Sequence, residues 1–276
     1  GPDLAHVSQL RTMLIQAFGP SPRKLPWDTR VETELCAELL ERWRAYAKDP
    51  ETEVPAWIAG GSPAGILHHP RSVGIFPLSA GTPKAYRPVS EFDLHFANYK
   101  SVDEDEAASS EISKLLSTKY LNKFKSVEDL IKALGSKPVL SKLAMITKEM
   151  NGKTKRRLIL DCLQSGVNSL TRQQERILLP MVTDVVADIL DLMAGLRGGE
   201  SLELFVLDFT DAFFKLPLHP DEQLYFAAKY KDVYMHWTRV AQGSRNGPQL
   251  FGILSAMLGR FSQGMLDPRH ARIHIY

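Results

Sequence analysis

The sequence predicts an α+β chain: an antiparallel sheet with helices on one face, preceded by a mainly helical N-terminal segment. Three observations carry this. Apolar residues recur at helical spacing in the first 48 residues. From residue 139 onward, strand-like and helix-like stretches alternate with turn residues between them. Two strand-like pairs are joined by short polar turns, Asn151-Gly152 and Lys231-Asp232, the pattern of antiparallel hairpins rather than of long parallel crossovers.

The elements follow in order. A helix over 3–18 rests on Leu4, Val7, Leu10, Leu14 and Phe18, and a second over 29–48 rests on Val31, Leu35, Leu39, Trp43 and Ala47, closed by Asp49-Pro50. Between about 50 and 95, Pro and Gly crowd the chain, from Pro55, Gly60 and Gly61 to Gly81, Pro83 and Pro88. Such a stretch holds no long regular element and reads as a linker or an extended segment laid on a neighbour. The acidic run Asp103-Glu104-Asp105-Glu106 opens a helix near 107–118. Ser126, three residues before Asp129, reads as the cap of a short helix that runs to Leu134 and stops at Gly135. A hairpin spans 142–161, with β-like runs at 143–147 and 157–161. A helix over 183–196 has Thr183 as its cap and Gly198-Gly199 as its stop. A strand is expected at 203–209, a hairpin from strands 223–229 and 233–240, a helix from Pro248 to Gln263, and a last strand at 272–276. No internal repeat is visible.

Composition narrows the class without naming a function. Of the 276 residues 44% are hydrophobic, enough for substantial cores, and 24% are charged. The net charge of +2 does not announce a nucleic-acid partner, but positive charge is concentrated at Lys148, Lys153, Lys155, Arg156 and Arg157. Cys36 and Cys162 match no metal spacing and fit a reducing, intracellular setting, cytoplasm or nucleus rather than secretion. No apolar run reaches the roughly 18 residues of a membrane span. His68-His69 invites a metal reading, but adjacent residues on an extended chain face opposite ways and no Cys or acid cluster accompanies them in sequence, so no metal is expected there. Trp43 and Trp57 are expected to be packing anchors.

Three stretches carry chemistry. In Leu204-Phe205-Val206-Leu207-Asp208-Phe209-Thr210-Asp211-Ala212-Phe213-Phe214, an apolar run ends in a carboxylate, the way a buried strand presents a ligand to Mg²⁺, and an aromatic follows five residues after the acid. In Gln242-Gly243-Ser244-Arg245-Asn246-Gly247-Pro248, two glycines permit close backbone approach and Pro248 suits a first helical turn. The third is the hairpin tip, Lys148 to Arg157, a two-stranded arm with a cationic end suited to a polyphosphate. Taken singly, these are a core strand with a solvated acid, a loop-to-helix turn and a solvated charged turn.

In their order and separation the three resemble the basic fingers hairpin, motif A and motif B of reverse transcriptases, the RNA-directed DNA polymerases of retroelements; the wording is closest to elements with long terminal repeats or tyrosine recombinases. The likeness covers about Leu140 to Tyr276. It implies a reverse-transcriptase-like fingers and partial palm over 101–276, preceded by a segment 1–100 of unassigned role. It implies that Asp208 is the catalytic acid and metal ligand for two Mg²⁺ ions, and that Lys148 and Arg157 clamp the incoming triphosphate. Asp211, Ala212, Phe213, Gln242 and Gly243 would then line the deoxynucleotide pocket, with Phe213 excluding a 2′-OH. The implied partners are an RNA or DNA template, a DNA primer and dNTPs, with no membrane. The implied reaction is primer extension by two-metal phosphoryl transfer. Motif C, Tyr-x-Asp-Asp, would begin at Tyr276, so this stretch by itself is expected to be an inactive fragment of a nucleotidyltransferase. The alternative is a catalytically dead, reverse-transcriptase-like module that binds nucleic acid or a partner.

Overall fold

The computed structural model describes residues 4–79, 88–89, 97–103, 106–150 and 152–275. Gly81, Pro83, Glu104-Asp105, Asn151 and Tyr276, on which several sequence expectations fall, lie outside the described residues. The fold is α+β with antiparallel sheets, as the sequence predicts.

The N-terminal part is helical: α1 (Leu4–Ala17), α2 (Ala37–Tyr46) and α3 (Glu53–Gly60). The sequence places the start of α2 eight residues too early. Local side-chain bonds explain the difference, because Asp28 Oδ1 accepts from Arg30 N at 2.8 Å and Thr33 Oγ1 accepts from Leu35 N at 3.1 Å. Such bonds offer the backbone an alternative to helix. Helix α3 was hidden by the surrounding Pro and Gly. Pro55 sits in its first turn, where an N–H has no intrahelical partner, so the residue costs the helix nothing.

The middle of the chain supplies α4 (Lys100–Asp103), α5 (Glu106–Ser117), β1 (Leu121–Phe124) and α6 (Val127–Leu134). Ser126 caps α6 by accepting from Asp129 N at 3.1 Å, and Gly135 closes it at φ 72°. The hairpin β2 (Lys142–Met150) and β3 (Lys153–Asp161) pairs in the register Lys142↔Asp161 to Met150↔Lys153. Its Leu143, Met145, Leu158 and Leu160 are buried in the main core, and the register puts Lys148 opposite Lys155 near the tip. Then come α7 (Val167–Leu170) and α8 (Val182–Ala194). In α8 the Asp184 carboxylate accepts from Met181 N at 2.7 Å, so the cap lies two residues before Thr183, and Gly195 rather than Gly198-Gly199 ends the helix.

Two strands expected from sequence are not formed. Residues 203–209 and 272–275 pair with no strand among the described residues. Leu204, Phe205, Val206 and Leu207 are 73%, 83%, 92% and 93% exposed. An apolar run becomes a strand only where a partner takes up its backbone N–H and C=O groups, and here none does. Asp208 therefore sits at the end of an exposed, extended segment and not at the exit of a buried strand. The second hairpin does form, as β4 (Ala227–Tyr230) and β5 (Val233–Trp237), but residues 220–225 before it are a 3-10 turn begun by Pro220. The third strand of that sheet is β1, in the order β1-β5-β4, with Leu121 opposite Trp237. Helix α6 covers one end of the sheet through Val127 and Leu130 against Ala227 and Tyr234.

Helix α9 (Gly247–Gly264) ties the two halves together. Leu250, Ile253, Leu254, Met257 and Phe261 share one core with Leu40, Val54, Trp57 and Ile58 of the N-terminal helices. Trp43 stacks between Phe18 and Phe261 at 5.4 and 4.9 Å, and Trp57 is buried, so both act as packing anchors. Arg260 grips the buried Asp49 carboxylate through Nε and a terminal nitrogen at 2.7 and 2.9 Å. Beside it, Glu51 is buried and forms no ion pair among the described residues. Burial, with the like charges of Asp49 and Glu175, pushes its carboxyl up to about 7. Because the folded value is raised, this group supports the fold in its neutral form, fully at pH below the usual carboxylate value. That support is lost as pH rises through about 7. We expect unfolding free energy to fall by up to about 3 kcal/mol between pH 5 and 8. Glu51→Gln should flatten that slope in denaturant melts, and an unchanged slope would remove Glu51 as its source.

Candidate functional site

The site is built from four separate stretches of chain. Helix α5 contributes one edge, because Glu111, Lys114 and Leu115 lie on one helical face at i, i+3 and i+4. Strand β3 contributes Thr154 to Ile159. The 208–214 segment contributes Asp208, Phe209, Asp211, Ala212, Phe213 and Phe214. The turn before α9 contributes Gln242 and Gly243. Together these line one cavity of about 580 Å³.

Local structure places each group. After Asp208, Asp211 adopts a left-handed conformation at φ 54° and its carbonyl accepts from Phe214 N at 2.9 Å, opening a 3-10 turn over Ala212–Lys215. Asx side chains tolerate this conformation better than most. The turn aims Phe213 toward α9, where Phe251 lies edge-on to it at 6.2 Å and to Phe209 at 5.3 Å. A Cβ on Gly247 would lie 3.4 Å from the Phe213 ring, so the start of α9 sits directly on that ring.

The Gln242-Gly243 turn is held on the hairpin. Leu160 N donates to Gln242 O at 2.9 Å, and Asn168 of α7 donates its side-chain N–H to Gly243 O at 3.1 Å while accepting from Arg245 N at 2.9 Å. Gly243 has φ 110°, and a Cβ there would overlap the Leu160 carbonyl oxygen. Glycine is required on both counts.

Both signs of charge meet in the cavity. Strand β3 brings Lys155, Arg156 and Arg157, the 208–214 segment brings Asp208 and Asp211, and α5 brings Glu111 and Lys114. Lys114 Nζ lies 4.0 Å from the Asp211 carboxylate. Asp208 makes no hydrogen bond or ion pair among the described residues, so its oxygens are available to a ligand. At the 3-10 turn's far end, Lys215 Nζ bonds Glu34 at 2.6 Å; that contact raises the Lys215 ammonium and lowers the Glu34 carboxyl relative to their ordinary values.

Of the residues singled out in sequence, Arg157, Asp208, Asp211, Ala212, Phe213, Gln242 and Gly243 all line this cavity. Lys148 does not; it lies beside Lys155 farther out on the hairpin. Glu111 and Lys114 were missed. Their helix shows only an apolar stripe, Ala108, Ile112 and Leu115, and the edge of a stripe carries no signal of what it faces.

No protein-family model matches the chain. Over 52 residues, 17% of the chain, it is 46% identical to the Gag-Pol polyprotein of Avian reticuloendotheliosis virus, covering 4% of that protein. Over a stretch of the same length it is 48% identical to the Gag-Pol polyprotein of Gibbon ape leukemia virus, covering 3% of it. The chain is thus similar to retroviral Gag-Pol polyproteins in one short region, and it spans 3–4% of the length of these curated relatives. Two solved structures of foamy viral protease-reverse transcriptase in complex with double-stranded DNA are 17% identical to it, with TM-scores of 0.37 and 0.34. They cover 88% and 91% of this chain and 37% and 41% of theirs. Similarities of that size leave the fold to be described from this chain's own contacts. No helix among the described residues is long and apolar enough to cross a membrane.

Proposed function

We propose that this chain is a fingers-and-palm portion of an RNA-directed DNA polymerase and that its cavity receives a deoxynucleoside triphosphate. The observation that carries the reading is the convergence of three distant stretches, 154–159, 208–214 and 242–243, on one cavity, with three cations from the first and two carboxylates from the second. The similarity to Gag-Pol polyproteins supports it. In this reading residues 101–276 hold the polymerase elements and the helical segment 1–100 braces α9.

Each residue then has a task. Arg157 and its neighbours Lys155 and Arg156 hold the triphosphate, Arg157 by paired N–H donors that offset charge developing on the leaving phosphates. Lys148, farther out, meets the phosphates only if the hairpin bends inward. Asp208, with no protein partner, suits a hard cation, and Mg²⁺ held there would neutralise phosphate charge. Gln242 and Gly243 present the turn against which the base and template rest. Phe213, backed by Phe251 and the start of α9, stands where the sugar would sit and leaves no room for a 2′-OH. The template would be RNA or DNA and the primer DNA.

The test is nucleotide binding to the chain itself. A labelled dNTP with Mg²⁺ should bind saturably. Arg157→Ala should weaken binding by roughly tenfold or more, the loss of a charge-assisted pair of about 1.5–3 kcal/mol. Asp208→Asn should remove the Mg²⁺ dependence. Equal binding by the parent and both variants would end this reading, and binding of template–primer with no nucleotide uptake would favour a non-catalytic nucleic-acid-binding module. Phe213→Ala should raise affinity for a ribonucleoside triphosphate toward that for the matching dNTP; a ratio that stays unchanged would rule out the steric role.

A further inference from the structure

We propose that His68, His219 and Asp221 form a binding site for a divalent transition-metal cation, Zn²⁺ in the first instance, which clips residues 61–70 to the 3-10 turn at 220–225. His68 lies about 150 residues before His219 and Asp221, and none of the three lines the triphosphate cavity. The ligand atoms they offer all fall within 4.8 Å of one another.

The geometry matches the donor spacing of a tetrahedral site. His68 Nε2 is 3.3 Å from Asp221 Oδ2, and His219 Nδ1 is 3.8 Å from the same oxygen. Zn–N and Zn–O bonds of about 2.0–2.2 Å place ligand atoms roughly 3.3–3.6 Å apart. Two edges of the tetrahedron are therefore present to within a few tenths of an ångström. The imidazole rings lie 3.8 Å apart and tilted by 33° beside one carboxylate, so a cation would draw its two nitrogens in while the rings spread apart. Two imidazoles and a carboxylate are also a donor set that Zn²⁺ uses when its fourth position is open. That position would face the adjoining groove, lined by Trp27, Asp28, Arg30 and His69 beside the two histidines.

The ligands are held from behind. Glu222, next to Asp221, is fully buried and accepts from the backbone N–H of Ala64, Ile66, Leu67 and His68 at 2.5 to 3.1 Å. The loop that carries His68 is thus fastened to the turn that carries His219 and Asp221, and a cation need not order either. The bonds it must displace are two long ones, each 3.3 Å, from Asp221 N to His219 Nδ1 and between His68 Nε2 and Asp221 Oδ2. The nearby Arg30 is engaged by Asp28 at 2.7 Å, which offsets its charge. A contrast is His274, 3.0 Å from Asp188, where Arg272 Nε already stands 3.5 Å from that carboxylate and supplies the positive charge.

The alternative is a hydrogen-bonded His–Asp–His cluster, and metal titration separates the two. The full chain, stripped with a chelator, would be titrated with Zn²⁺ by calorimetry and with Co²⁺ by visible absorption. A single saturable site is expected, with the intense ligand-field bands of tetrahedral Co²⁺. His68→Ala and His219→Ala should each lower Zn²⁺ affinity by roughly tenfold or more, while His274→Ala leaves it unchanged. Zn²⁺ should raise the melting temperature of the parent and not that of His68→Ala. The His68 side chain is 44% exposed, so its removal should leave the metal-free melt where it was. Absence of saturable uptake, or uptake undiminished in both variants, would overturn the proposal. Neither outcome depends on nucleotide binding in the other cavity.

Discussion

Glu222→Ala is expected to destabilise the chain by roughly 3–5 kcal/mol, from backbone donors left without an acceptor, a large share of the 5–15 kcal/mol that holds a typical domain folded. The side chain is fully buried, and no cation pairs with it among the described residues. Its charge is satisfied by backbone instead. Oε1 accepts from Ile66, Leu67 and His68 at 2.9, 2.8 and 3.1 Å, and Oε2 accepts from Ala64 at 2.5 Å. Removing the carboxylate leaves these N–H groups without an acceptor, and the buried Ala64 N–H has no water to turn to. It also frees the stretch that carries Gly65, against which Asn246 at the start of α9 lies. Glu222→Gln should cost less, because the amide oxygen can keep the three bonds at Oε1 and only Ala64 then faces a donor. The check is a denaturant melt of the three proteins. An alanine variant within about 0.5 kcal/mol of the parent would mean that the loop does not depend on this carboxylate.

The second large effect is expected at Gly243. Gly243→Ala faces two obstacles at once, a backbone at φ 110° and the Leu160 carbonyl oxygen in the space a Cβ would take. The turn must lift off β3 to make room, and the 2.9 Å bond from Leu160 N to Gln242 O goes with it. Backbone strain alone costs about 1–3 kcal/mol. The cavity loses one wall as well, so nucleotide affinity should drop at least about tenfold, equivalent to 1.4 kcal/mol or more. Gly152→Ala is the matched control. Gly152 also has positive φ, 71°, but nothing lies within 4 Å of its Cβ position. It should cost only the left-handed penalty of about 1–2 kcal/mol and leave nucleotide affinity unchanged. If the two variants behave alike, contact with β3 is not what holds the turn in place.

These two residues differ in how visible they are from the sequence. Gly243 stands in a motif whose spacing marks it, although nothing in the motif says that its neighbour is Leu160. Glu222 is an acid in a Pro-initiated turn and looks like any solvated one. Its acceptors' donors lie more than 150 residues earlier, in a stretch that reads as a linker. The same holds for His68, for which adjacency to His69 argued against a metal. The turn at 219–221 supplies the two further donors that the neighbouring sequence lacks.

Elements whose signals lie within a few residues of each other are legible in the chain. These are the hairpin at 142–161, α6 between Ser126 and Gly135, α9 beginning at Gly247-Pro248, and the α+β class that their alternation implies. The seven residues that meet at the cavity are legible as well. The rest depends on contacts between distant residues. Folding gives the short run Leu121–Phe124 a partner in β5 and leaves the far more apolar run at 203–209 with none among the described residues. It joins helices α2 and α3 to α9 in one core, and it brings α5 to the cavity's edge. The reason is physical. Caps, turns and helical periodicity are satisfied by neighbours in the chain, whereas a strand, a buried carboxylate or a ligand cluster is completed only by groups that folding brings from far away.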